Sequence, residues 1–134
     1  MTHLDTSFLV DLLREAARGE EGPATSHLED LADEALGISV HVACELQAGA
    51  ELSRDPAGER SRVEALVRPL ALSLPDERFP PAYGGLLAEL RRRGETISTT
   101  ALLIATAALV DGAALVTRNP REFERVPGLK VVAY

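Results

Sequence analysis
"ISTTALLIATAALVDGAALVTRN", Ile97 to Asn119, sets the architecture. Its apolar spacing predicts a helix over 99–111, a turn at Gly112, and a strand from Ala114 to Thr117. The strand stops on the polar residues Thr117, Arg118 and Asn119. A long apolar helix feeding a short strand is one step of a crossover that keeps strands parallel and covers the sheet. Between Ile97 and Val110 no side chain is ionisable.

The same alternation continues outward. "THLDTSFLVDLLREAARG" reads as a strand ending at Asp5, then a helix presenting Phe8, Leu9, Leu12 and Leu13, with Gly19 past its end. After an "EEGP" loop, "SHLEDLADEAL" is expected to be a helix capped by its serine and stopped by Gly37. "ISV" is a short strand, and from Ser39 the period changes into a helix that carries Glu45. A helix ended by Pro69, a strand around Leu72 to Leu74, a "PDERFPP" loop and the helix "AYGGLLAELRRRGE" follow. "VPGLKVVAY" supplies a turn and a last strand. The expected fold is α/β, a parallel sheet flanked by helices on both sides.

With 134 residues, 46% of them hydrophobic, the chain is expected to form a single domain over 1–134. No uninterrupted apolar run reaches the ~18 residues of a membrane span, and the start "MTHLDTSFLVDLL" has no basic leader, so a cytoplasmic protein with no membrane partner is expected. The single Cys44 has no partner for an internal disulfide and is read as a small core residue. A net charge of −7 argues against an extended nucleic-acid clamp and suits a site that collects divalent cations. The helices around 86–90 and 101–110 offer more apolar surface than one small core needs, which points to a two-fold dimer.

In an open α/β sheet, ligands sit beyond the carboxyl ends of the strands. The polar residues there are Asp5, Glu45 about a turn and a half into its helix, and Thr117, Arg118 and Asn119. Converging oxygen ligands suit a hard cation such as Mg²⁺ or Mn²⁺, which can activate water beside a phosphodiester. For any one of these residues, a solvated cap or turn is the plainer reading.

"LDTSFLVDLL", "ISVHVACELQAG" and "ISTTALLIATAALVDGAALVTRNPREFERVPGLKVV" together resemble the PIN-domain family, in particular its VapC-type toxins. The blocks occur in the family's order and span nearly the whole chain. The resemblance implies a Mg²⁺- or Mn²⁺-dependent endoribonuclease, homodimeric, whose VapB-like antitoxin wraps around it and blocks the site. It implies Asp5 and Glu45 as the first two acids and Asn119 as the last ligand. Glu122, just before Phe123, stands where a further acid often lies.

One acid is missing. The family's "DxLIA" pattern has an aspartate three residues before its isoleucine; counting back from Ile104 gives Ala101. An aspartate near a helix N-terminus would be held ionised by the dipole and free amides. Asp111 is no substitute, since ten residues of helix carry it about 15 Å along the axis. The chain is therefore expected to carry a disabled site. Two origins suit the alanine: a degenerate family member, or an aspartate deliberately replaced. The intact remainder of the motif favours the second.

The hydroxyls of Thr99 and Thr100 are read as caps, and Thr6 and Thr117 as hydrogen-bond supports behind the ligands. Arg118 and Arg121 flank the site as candidate RNA contacts, whereas Arg91, Arg92 and Arg93 read as a solvated helix end. His41 shares a helix face with Glu45 but has no second His or Cys ligand, so it is expected to line the cleft or meet solvent. Two other functions compete: a PIN fold that acts only by binding its partner, and a phosphatase-like hydrolase. An aspartyl-phosphate enzyme would want an acid two residues after Asp5, where this chain has Ser7.

Overall fold
A computed structural model describes residues 1–134. Five short strands form one wholly parallel sheet in the order β3-β2-β1-β4-β5. The strands are β1 (Thr2–Leu4), β2 (Leu36–Ser39), β3 (Ala71–Ser73), β4 (Ala114–Val116) and β5 (Val131–Val132). Helices α1 (Thr6–Arg18) and α2 (Pro23–Asp30) lie between β1 and β2, and α3 (Val40–Glu51) and α4 (Pro56–Val67) between β2 and β3. Helices α5 (Phe79–Arg93) and α6 (Thr99–Val110) lead to β4, and the short α7 (Pro120–Phe123) to β5. This is the expected α/β architecture.

The central strand shows how both faces are used. Successive side chains of a strand point to opposite faces. Leu4 joins Leu9 and Leu12 of α1, while His3 hydrogen-bonds Asp111 at the end of α6. Seven of the twelve residues of α6 are buried, from Ala101 and Leu102 through Ile104 to Ala108. That accounts for its lack of charge and leaves Leu103, Leu109 and Val110 half-buried as its remaining apolar surface.

Several boundaries differ from the sequence reading, each for a local reason. Helix α2 starts at Pro23, ahead of Ser26, because the Glu15 carboxylate accepts the N–H groups of Gly22, Ala24 and Thr25 and caps it from α1. It ends at Asp30, and Gly37 lies within β2; a Cβ there would stand 3.1 Å from the Ala71 carbonyl of β3. Strand β3 ends at Ser73 because its partner β2 ends at Ser39, leaving Leu74 exposed. Helix α5 absorbs "FPP", since proline is tolerated in a first helical turn, where N–H groups have no helical partner. Cys44 is exposed: α3 buries Val42, Leu46 and Ala50, and a residue two positions from that row faces away.

Candidate active site
Strand order reverses between β1, whose next strand lies on one side, and β4 on the other; ligands gather at such a switch point. Leu4 pairs in register with Val116, so Asp5 and Thr117 leave the sheet side by side. Asp5 is 5% exposed, and its Oδ2 accepts Ser7 Oγ at 2.9 Å and Thr117 Oγ1 at 2.7 Å. Its Oδ1 accepts no hydrogen bond from the chain. Thr117 Oγ1 in turn accepts the Asn119 N–H at 3.0 Å, and Ser7 Oγ accepts the Arg118 N–H at 3.1 Å. The loop after β4 is thereby tied to the start of α1.

Glu45 comes from α3, which Ser39 caps by accepting the Val42 N–H. Thr6 Oγ1 donates to Glu45 Oε1 at 2.6 Å. Both threonines thus hydrogen-bond an acid, Thr117 at Asp5 and Thr6 at Glu45. Ser7, which in the sequence stands out only as the absence of an acid, is a third support. Its adjacency to Asp5 in sequence is the signal that could have marked it.

Asp5, Glu45, Asn119 and Glu122 all line one cleft of about 170 Å³, and Ala101 is on its wall. The cap of α6 is Ser98, not Thr99 or Thr100: Ser98 Oγ accepts the Ala101 N–H at 3.2 Å. Residue 101 is thus the third position of the helix, where a carboxylate faces unpaired amides. Glu122 Oε1 accepts the Ser98 N–H at 3.3 Å, at the same end of α6.

The donors are all oxygens, with one buried carboxylate oxygen free and its partner held by two hydroxyls. In kind, this suits Mg²⁺ or Mn²⁺. In number it falls short: no three His, Cys, Asp or Glu side chains stand close enough together to hold a metal ion.

His41 is not in this cleft; its ring lies against Phe79 at 5.5 Å, and burial pushes the imidazole below its usual range. His27 packs on Phe8 and Tyr134. Arg118 is drawn aside by Asp11, at 2.6 Å, and Asp11 also accepts the Tyr134 hydroxyl. Arg121 has no carboxylate partner. Arg92 and Arg93 pair with Glu89 near the end of α5, as a solvated terminus would.

The PIN domain family model matches residues 3–129. The chain belongs to the PIN-domain family. Among its relatives, "Ribonuclease VapC2" of Rickettsia felis is 34% identical over 105 residues, 78% of each chain. "tRNA(fMet)-specific endonuclease VapC" of Salmonella typhimurium is 35% identical over 94 residues, covering 70% of this chain and 71% of the relative. The crystal structure of Rickettsia felis VapBC2 bound to a DNA fragment from its promoter superposes with a TM-score of 0.88 at 30% identity, covering 99% and 98% of the two chains. Within the PIN family, this chain is of the VapC type. No helix is long and apolar enough to cross a membrane.

Proposed function
We propose that this PIN domain is the toxin of a cytoplasmic toxin–antitoxin pair, built as a metal-dependent endoribonuclease and weakened by Ala101. The observation that carries the reading is the cleft at the switch point, where Asp5, Glu45, Asn119 and Glu122 meet around residue 101. Its relatives bear ribonuclease names. Asp5 and Glu45 would hold the cation, with Asn119 and Glu122 as further oxygen donors in the same cleft that do not complete the set. Bound there, Mg²⁺ or Mn²⁺ would supply positive charge and an acidified water for phosphodiester hydrolysis. The chain's own contribution is orientation. Ser7 and Thr117 hold one oxygen of Asp5 and leave the other for a ligand, and Thr6 does the same for Glu45.

A VapB-like antitoxin is the proposed partner, as the Rickettsia felis relative was crystallised in a VapBC complex. The groove next to the acids fits an apolar segment: Val10, Leu13, Leu46 and Val63 line it, with Glu45 at its rim. An arginine reaching from that segment would meet Glu45 and Asp5. The family resemblance also implies a homodimer, which light scattering at micromolar concentration decides; a monomer mass would end that part of the reading.

Ala101 favours a second reading, a PIN fold that acts only through its partner. The deciding experiment is cleavage of RNA, including initiator tRNA, by the antitoxin-free protein and by Ala101→Asp, with Mg²⁺ or Mn²⁺ and with chelator. Activity only in the aspartate form supports a disabled nuclease; none in either supports the binding protein. The native gene at codon 101 shows which state the cell uses.

A further inference from the structure
Beside the acid cleft lies a larger one of about 600 Å³ whose lining is polar except for Ile97 and Pro120. The two share Ser98, Asn119 and Glu122, so they form one continuous depression. Arg118, Arg121 and Arg125 line the larger part. Of the molecule's 13 arginines, eight pair with a carboxylate, among them Arg60 with Glu51, Arg62 with Glu59 and Arg78 with Asp76, while Arg18, Arg54, Arg91, Arg121 and Arg125 do not; only the last two of these line a cleft together.

Arg121 and Arg125 have no such partner. Arg125 donates one Nη1 hydrogen bond to the Thr96 carbonyl at 3.0 Å, which fixes its head against the loop before α6 without cancelling its charge. Glu122, the one carboxylate in this cleft, is engaged by the Ser98 N–H, and Arg118 is tethered to Asp11, which lies outside the cleft lining. Two uncompensated guanidinium groups therefore face one polar trough that opens directly onto the acids, on a chain of net charge −7.

We infer that Arg121 and Arg125 form a subsite for backbone phosphates of single-stranded RNA, next to the position where the scissile phosphate meets Asp5 and Glu45. Guanidinium forks match phosphate oxygens, and an acidic protein must attract a polyanion locally because its overall field repels it. The subsite sets the side on which the strand leaves the acids, past the Thr96–Ser98 loop. It rests on the ribonuclease reading but needs neither metal nor cleavage.

The test is fluorescence anisotropy of a labelled single-stranded RNA oligonucleotide with the antitoxin-free full chain, in chelator, across roughly 50 to 200 mM KCl. For single strands, each phosphate contact contributes about 0.7 to the slope of log affinity against log salt, so Arg121→Gln with Arg125→Gln should flatten it by about 1.4. Affinity at low salt should fall on the order of ten-fold. Arg18→Gln with Arg91→Gln, which removes two exposed charges elsewhere, should leave both quantities unchanged. Equal affinity and slope in the cleft variant and the unaltered chain overturn the subsite and leave the nuclease reading intact. Equal losses in both double variants show attraction by charge alone and also overturn it. No RNA binding by the unaltered chain overturns the subsite together with the reading it rests on.

Discussion

Thr117 Oγ1 lies 2.7 Å from Asp5 Oδ2, joining two residues 112 positions apart at the ends of adjacent strands. The hydroxyl serves a buried carboxylate that has only one other hydrogen-bond donor, Ser7.

Thr117→Val keeps the shape and removes that donor. It should lower unfolding free energy by about 1–3 kcal/mol, the cost of a buried charged acceptor losing a partner, measured by urea denaturation. Thr117→Ser should restore most of it. In an Ala101→Asp background the valine should also weaken Mn²⁺ binding by about 10–100-fold, since the groups behind a ligand set its orientation. Stability unchanged in the valine variant would show the bond to be idle.

His3 should make stability fall on mild acidification. It is buried in β1; its Nε2 hydrogen-bonds Asp111 at 2.8 Å, an acceptor that places the proton on Nε2, and its Nδ1 has no partner. Burial lowers the imidazole pKa below its usual 6.5, outweighing the pull of Asp111 in the other direction. Below pH 6.5 the unfolded chain takes up a proton that the folded chain refuses, so stability is lost as pH drops from 6.5 towards the folded value. His3→Gln should flatten that part of a melting-temperature profile. An unchanged slope would place the titration elsewhere.

Glu15 controls a second, more acidic step. Burial alone would raise its carboxyl, but hydrogen bonds from Thr25, Ala24 and Gly22 outweigh this and hold it below the usual carboxylate range. A depressed carboxyl stabilises the fold above its unfolded pKa, and that stabilisation disappears as pH falls through the folded value. Glu15→Gln should therefore destabilise the protein at pH 7 and lessen its sensitivity to acid below about pH 4.5. Parallel denaturation midpoints for the two proteins across that range would contradict the assignment.

How much of this was legible in the sequence follows from where the deciding interactions lie. Strand–helix alternation is written in local periodicity, so the parallel sheet and the α6–β4 unit could be read directly. The start of α2 could not, because its cap is Glu15 on another helix, and neither could the end of β3, which depends on where β2 stops. Asp5 and Asn119 were legible as polar residues just past strand ends, and Glu45 as an acid about a turn and a half into the helix after β2. The tether of Arg118 to Asp11 and the contact of Arg125 with the Thr96 carbonyl were not, since both depend on neighbours far away in sequence. Nor can the composition of α6 say how much of its apolar surface is covered from within, where seven of its twelve residues are buried.

The antitoxin should bind independently of residue 101. If its anchor fills the groove of Val10, Leu13, Leu46 and Val63, most of its binding energy comes from apolar contact. Calorimetry with the product of the adjacent gene should give similar dissociation constants for the unaltered chain and for the Ala101→Asp variant. Leu13→Ala should weaken the complex by about ten-fold, the loss typical of a moderate interface anchor. No complex at all would remove the partner from the proposal.

The sharpest prediction concerns the carboxylate that Ala101 lacks. Residue 101 is on the wall of the acid cleft, its N–H already taken by Ser98, and the cleft of about 170 Å³ has room for an aspartate side chain. Ala101→Asp would add a third negative oxygen donor facing Asp5 and Glu45, at a helix end that favours its ionised form. Isothermal titration with Mn²⁺ should show clearly tighter binding in that variant. Ribonuclease activity should rise by about 10²-fold or more, the usual effect of restoring one group that acts on the transition state. Adding Asp5→Ala should abolish both gains, because the buried Asp5 is the anchor that Ser7 and Thr117 hold in place. Chelator should silence the restored enzyme and leave its fold intact, as judged by circular dichroism. If the alanine protein already cleaves RNA as fast as the aspartate variant, residue 101 is not a ligand position and the site has been placed wrongly.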